Sequence, residues 1–352
     1  MPAAMIVGGA LWNLLSPRAY WGDYLLVAAV TVAGALLSLR HTIAAGAAIV
    51  LVETALLFEG GYLGNAAAST IELANLAFTA LIAIGVNRVV ARHGRRLETV
   101  RSVAEAAQRA VLPPPPVRVG PLAIAAVYKA AQIEALIGGD AYAVQDTPYG
   151  TRLLIADVRG KGMGAVGVVA VLLGTFRAMA DQAPDLAVLA GQLERALVKE
   201  GALREEEVRM EGFVTALLGE ISPDVDQVRL LNCGHPSPYL LEDTAVSPLD
   251  PGKPGLPLGM SGLGVPQAEP ETWPFPPGGT LLLVTDGVTE ARDRFGSFYE
   301  PASRLSGRGP FRQPDQVIEA LVRDVEHWTG GPRDDDMAIL AITRSTNGPA
   351  RP

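Results

Sequence analysis

Cysteine is all but missing: Cys233 is the only one in 352 residues. No intrachain disulfide can form, so nothing points to an oxidising compartment. Histidine is nearly as scarce, with four, which leaves a poor stock for a Cys/His zinc site. Charge is thin too. Asp, Glu, Lys and Arg make up 19% of the chain, where roughly 25% is usual. Apolar residues reach 49% and the mean hydropathy is positive. This is the balance of a membrane segment joined to an ordinary globular part. Basic residues are the scarcer sign, 29 against 37 acidic, for a net charge of -8. That argues against a general nucleic-acid binder, which needs clustered Lys and Arg for phosphate contacts.

Apolar sequence is plentiful at the start. Residues 24–39, 43–58 and 66–86 are apolar stretches, near the roughly 20 residues that cross a bilayer, the first two being short. Residues 5–15 form a fourth, too short to span alone, with Trp12, Tyr20 and Trp21 suited to a membrane interface. No basic region precedes it, so a cleaved signal peptide is a poor reading. Arg40 and His41 follow one stretch and Arg88, Arg92, Arg95 and Arg96 follow the last, whereas the turn 59–65 holds no Lys or Arg. The positive-inside rule places both basic groups, and everything after residue 96, in the cytoplasm. Buried helices of a soluble protein are the alternative. Glu53 and Glu72 are either sensing groups or carboxylates facing the interface.

Residues 92–112 read as a helix, with Leu97, Val100, Val103, Ala104, Ala107 and Val111 on one stripe. Pro113 to Pro116 end it and favour extended geometry. The stripe serves either a homodimer or a plain linker.

Strand patterns then run over 122–128, 140–144, 152–158, 213–221, 228–232, 239–241, 280–285 and 337–342. Helical periodicity covers 164–180, 186–198 and 316–328, and a Pro/Gly-rich loop covers 250–269. Strands before and after a helix pair predict an α+β domain, sheets inside and helices outside.

Several of these strands end on carboxylates: Ile155-Ala156-Asp157, Val284-Thr285-Asp286 and Asp335-Asp336-Met337, with Asp140 after Gly138-Gly139. One such end means little, because strands stop at turn residues. Four together are harder to dismiss. Clustered carboxylates raise one another's pKa unless a cation neutralises them. An all-oxygen site suits Mg²⁺ or Mn²⁺, and two such ions about 3.5–4 Å apart can clamp a phosphoryl group for in-line displacement. No Cys or Ser nucleophile motif accompanies them, which points to metal-activated water.

Over about residues 105–343 the chain carries, in order, Ala110-Val-Leu-Pro-Pro114, Gly138-Gly-Asp140, Ala156-Asp-Val-Arg-Gly-Lys-Gly162, Gly234-His-Pro236, Val284-Thr-Asp-Gly-Val-Thr-Glu290 and Asp335-Asp-Met-Ala338. This set resembles the metal-dependent protein serine/threonine phosphatases (the protein phosphatase 2C-like, or PPM, family), in the bacterial branch typified by stage II sporulation protein E and the sigma-factor regulatory phosphatases. The resemblance implies a four-layer α-β-β-α sandwich and two divalent cations, Mn²⁺ or Mg²⁺. It implies that Asp157 bridges the ions, that the Val158 carbonyl reaches one, and that Asp140, Asp286 and Asp335 are the other carboxylate ligands. Asp336 supports the site, and Gly160 and Gly162 let the backbone turn tightly.

Two positions depart from the family pattern. Ala143 stands where a second Asp is common, which bears on a third metal, and Lys161 stands where His is common. Arg159 and Lys161 are candidates for the substrate phosphate, or exposed turn residues. His235 either orients a proton transfer or holds a corner, and Cys233 is a buried small residue.

The expected organisation is a transmembrane helical region at 1–90, a linker helix and Pro-rich spacer at 91–116, a phosphatase domain at 117–345 and a disordered tail at 346–352. The expected function is a membrane-tethered phosphatase acting on a phosphorylated cytoplasmic regulatory protein. By resemblance, that substrate is an anti-sigma-factor antagonist. The alternative is a non-catalytic binding or dimerisation module on the same fold.

Overall fold

The computed structural model describes residues 1–17, 24–59, 66–130, 138–160, 162–202, 213–253, 255–265, 268–331 and 335–346, without the side chains of 59, 66, 68, 96–110 and 163. Lys161, most of the linker stripe's side chains and the tail 347–352 lie outside these. The chain divides into two units, Met1–Val100 and Arg101–Pro352.

The first unit contains α1 (Pro2–Leu15), α2 (Tyr24–Leu36), α3 (Leu39–Glu59) and the larger part of α4 (Ala66–Val111). Leu26, Val30, Ala33, Ile49, Leu76 and Ala83 form its core. The Asn87 side-chain amide donates to the carbonyls of Gly34 and Leu37 at 3.0 and 2.7 Å, satisfying acceptors left over at the end of α2. Glu53 is buried and Glu72 half-buried.

Two stretches, Leu39–Phe58 and Ser69–Arg95, are long and apolar enough to cross a membrane. The stretch expected at 24–39 is shorter than that, because α2 holds 13 residues and rises about 20 Å against a hydrocarbon core of about 30 Å. The stretches expected separately at 66–86 and 92–112 form one unbroken α4. No proline interrupts them, and Gly85 and Gly94 each cost a helix only about 1 kcal/mol relative to Ala.

The second unit is built on two antiparallel sheets. The first has six strands in the order β1 (Arg118–Val119), β2 (Leu122–Lys129), β11 (Met337–Arg344), β10 (Thr280–Val284), β7 (Tyr239–Glu242) and β8 (Ala245–Pro248). The second has five: β3 (Asp140–Thr147), β4 (Gly150–Val158), β5 (Val214–Ile221), β6 (Gln227–Cys233) and β9 (Glu271–Pro274). Helices α5 (Met163–Met179) and α6 (Leu186–Ala202) cover the second sheet, and α9 (Pro314–Thr329) covers the first. Two short helices, α7 (Asp286–Thr289) and α8 (Pro301–Leu305), precede α9. The layers therefore run α-β-β-α.

Strand β10 shows why the sequence reads as it does. Leu281 and Leu283 join the core shared with the second sheet, whereas Leu282 and Val284 join Val317, Leu321 and Val325 of α9. A strand covered on both faces is apolar throughout. Strands β8 and β9, which the sequence reading did not include, carry Pro248 and Pro274 and lie at sheet edges, where a missing N–H is tolerated.

One ion pair lies deep in the second sheet. Arg152 on β4 is fully buried. Its Nε and Nη2 donate to Glu220 Oε2 on β5 at 2.9 and 2.7 Å. Its Nη1 donates to the carbonyls of Ala180 and Ala183 at 2.7 and 2.6 Å. One guanidinium thus pins the α5–α6 turn to the sheet.

Candidate active site

The site begins with strand register. In the β3–β4 hairpin Asp140 stands opposite Asp157, and across β4–β5 Asp157 stands opposite Thr215. Directly opposed residues of antiparallel strands share a face, so two carboxylates and a hydroxyl form one row. His235 extends it, its Nδ1 lying 3.1 Å from Thr215 Oγ1. Asn232 fixes that corner by accepting from the His235 N–H and donating to its carbonyl, both at 2.8 Å. Burial pushes His235 down to about 3, so the ring is neutral near pH 7. The structure favours the corner reading of this residue.

The other sheet supplies the facing half. Past the last residue of β10, Thr285 is fully buried. Its hydroxyl donates to Asp140 Oδ2 at 2.7 Å and accepts from the Ala338 N–H at 2.9 Å. One side chain thereby ties β3 to the start of β11. Asp286 follows and opens α7. Nothing in the sequence reading singled out Thr285. The available signal was a hydroxyl at the end of an unbroken apolar run, where a buried polar group needs a partner.

Three close approaches explain the glycines. A Cβ on Gly138 would overlap the Asp336 carboxylate, one on Gly139 the Val158 carbonyl, and one on Gly287 the Asp336 carbonyl. Asp336 is buried against Gly138 and Gly287, and Asp335 is exposed. Beyond Val158, Gly160 and Gly162 have φ of +111° and +84°, a region glycine enters without penalty, and α5 begins at Met163. Arg159 is exposed with its guanidinium 5.0 Å from the centre of the Phe213 ring.

Gly138→Ala therefore displaces the Asp336 side chain rather than backbone. The expected cost is about 1–3 kcal/mol, typical of overpacking, read as a lower urea midpoint at unchanged m-value.

The carboxylates disturb one another. Burial, then the Asp157 charge, holds Asp140 well above the ordinary range. Burial, then Asp286 and Asp335, pushes Asp157 up to about 7. Burial, then Asp335 and Glu290, pushes Asp286 up to about 6. Among the described residues, no three His, Cys, Asp or Glu side chains converge closely enough to hold an ion as they stand. The donor chemistry nevertheless fits a hard divalent cation. The groups are oxygens, Asp140 is buried and Asp157 and Asp286 half-buried, and their charges penalise one another until a positive charge arrives.

The sequence profile described as stage II sporulation protein E (SpoIIE) matches residues 147–345. Among solved structures, the SiaA-PP2C domain of Pseudomonas aeruginosa is similar at 19% identity and TM-score 0.56, covering 72% of this chain and 98% of that one. The RsbU and RsbW domains of a Mycobacterium tuberculosis protein are similar at 23% identity and TM-score 0.52, covering 68% of this chain and 64% of that one. The PP2C phosphatase domain, with a regulatory fragment, of SpoIIE from Bacillus subtilis is similar at 15% identity and TM-score 0.51, covering 65% and 64%. No curated protein matches.

Proposed function

The chain belongs to the stage II sporulation protein E family of PP2C-type phosphatases, and we propose that it is a membrane-tethered protein serine/threonine phosphatase whose substrate is a phosphorylated cytoplasmic regulatory protein. The observation that carries this is the Asp140–Asp157 pair, in register on one sheet, tied by Thr285 to the strand end that bears Asp286. Asp140, Asp157, Asp286, Asp335 and the Val158 carbonyl would hold two divalent cations, Mn²⁺ or Mg²⁺. When bound, these supply a water made nucleophilic near neutral pH and neutralise the phosphoryl oxygens.

The chain's own residues do the rest. Thr285 fixes the Asp140 carboxylate by its hydrogen bond. Asp336, packed on Gly138 and Gly287, keeps the two strand ends close. Arg159 and Lys161 follow Asp157 closely in the sequence and would meet the substrate phosphate as positive charges.

Our reading of the domains is a transmembrane region at 1–90, a linker at 91–116 and the phosphatase domain at 117–345. Leu51, Phe58, Phe78, Leu81 and Ile82 are large, apolar and exposed on the two long helices, which suits lipid better than water. The Arg88–Arg96 cluster then sets the phosphatase domain in the cytoplasm. A family substrate of the anti-sigma-factor antagonist type and a homodimer through 92–112 complete the reading.

The test uses the full chain in detergent. Phosphate release from p-nitrophenyl phosphate and from phosphothreonine peptides is expected to need Mn²⁺ or Mg²⁺ and to stop with EDTA. A chain that binds Mn²⁺ yet releases phosphate from no ester or phosphoprotein would instead be the non-catalytic module.

A further inference from the structure

Loop 291–299 leaves the site directly after α7. The Tyr299 N–H donates to the Ala291 carbonyl at 2.9 Å and closes its base. Inside, the Asp293 carboxylate accepts from the N–H groups of Phe295 and Ser297 at 2.8 and 2.9 Å. The Trp328 indole on α9 donates to the Ser297 carbonyl at 3.3 Å. The backbone is thus held from within and from behind.

What this rigid loop presents is unusual for a soluble surface. Phe295 is 77% exposed and Phe298 53% exposed, and Arg292 and Arg294 are exposed beside them. The Arg292 guanidinium lies 4.6 Å from the centre of the Phe298 ring, and that of Arg294 lies 4.7 Å from the centre of the Phe295 ring. Among the described residues, neither guanidinium forms an ion pair. Asp293 spends its carboxylate on the loop's own backbone.

Arginine and aromatic residues are the usual anchors of protein interfaces, and anchors already ordered lose little entropy on binding. Free guanidiniums recognise carboxylates in a planar, two-pronged fashion. Lipid is the poorer occupant, because seating these rings among acyl chains would strip water from the guanidiniums stacked on them.

We infer that loop 291–299 docks an acidic peptide segment flanking the phosphorylated residue of the substrate protein. This rests on the phosphatase reading above.

The test compares two phosphothreonine peptides of equal length, one flanked by Asp and Glu, the other by Lys and Arg, with the full chain in detergent. The wild type is expected to favour the acidic peptide roughly tenfold in kcat/KM, about what one charge-assisted contact gives. The difference should lie in KM and shrink in high salt, which screens exposed charges. Arg292→Glu with Arg294→Glu should invert the preference, with an unchanged melting temperature showing that the fold is intact. No preference in the wild type, or one that survives charge reversal, overturns the inference. So does charge reversal that leaves peptide binding alone and abolishes binding to phosphatidylserine vesicles. If neither peptide is hydrolysed, the phosphatase reading is what fails. Fluorescence anisotropy of the same two labelled peptides then decides docking alone, by the same ratio and the same reversal.

Discussion

Replacing Asp157 by Asn is expected to cut phosphate release by a factor on the order of 10³ or more, and at the same time to raise the melting temperature of the metal-free protein. The first effect follows from losing the carboxylate that stands opposite Asp140 and would hold both ions, since activation of water depends on them. The second follows from the repulsion already present. In the fold Asp157 is pushed up to about 7, against about 3.9 for a free carboxyl. Between those values the folded state holds a proton that the unfolded state has released, so stability falls as pH rises. Without divalent cation, the group's unfavourable contribution is absent below about pH 4 and fully developed above about pH 7. Asparagine removes that slope. Thermal melts in EDTA at pH 5 and pH 8, run beside a phosphate-release assay, read both effects. Asp140 and Asp286 keep their own shares of the slope, both being raised by burial first, so activity that persists, or a pH slope no shallower than the wild type's, would sink the assignment.

Arg152→Ala is expected to destabilise the phosphatase domain by about 3–5 kcal/mol, the usual cost of removing one partner of a buried ion pair. Glu220 keeps a second partner, Arg229, at 2.9 Å, which softens the loss. The carbonyls of Ala180 and Ala183 lose a donor they both use, which deepens it. Urea unfolding followed by circular dichroism measures the shift in midpoint. A change under about 1 kcal/mol would mean that the guanidinium gains little over its own desolvation.

The strands that end on Asp157 and Asp286 were legible in the sequence, because strands buried on both faces leave unbroken apolar runs that stop where the site begins. Edge strands β8 and β9 were not, since prolines and charges mask a ladder that only one neighbour completes. The separate limits read for the third apolar stretch, 66–86, and the linker helix, 92–112, followed the change in charge between them. Backbone hydrogen bonding is indifferent to charge, so α4 continues through it. Thr285 escaped notice for another reason. Its partners, Asp140 and Ala338, are separated from it by 145 and 53 residues, and a single hydroxyl carries no local pattern that names such distant neighbours. The inward turn of Asp336 beside exposed Asp335 was likewise set by Gly138 and Gly287, one of them far upstream.

Strand β11, which lies between β2 and β10, has a consequence for the order of events during synthesis. It follows every other described strand in the chain, yet it joins the first strands of its sheet to the rest, and its Ala338 N–H holds Thr285 in place. A nascent chain short of Met337 can form the hairpin that bears Asp140 and Asp157, but it cannot complete the six-stranded sheet that packs against theirs. Long-range pairings of this kind are made late, after the cost of closing the intervening chain has been met. A chain truncated before β11 is therefore expected to release no phosphate, so that it cannot act on its substrate early.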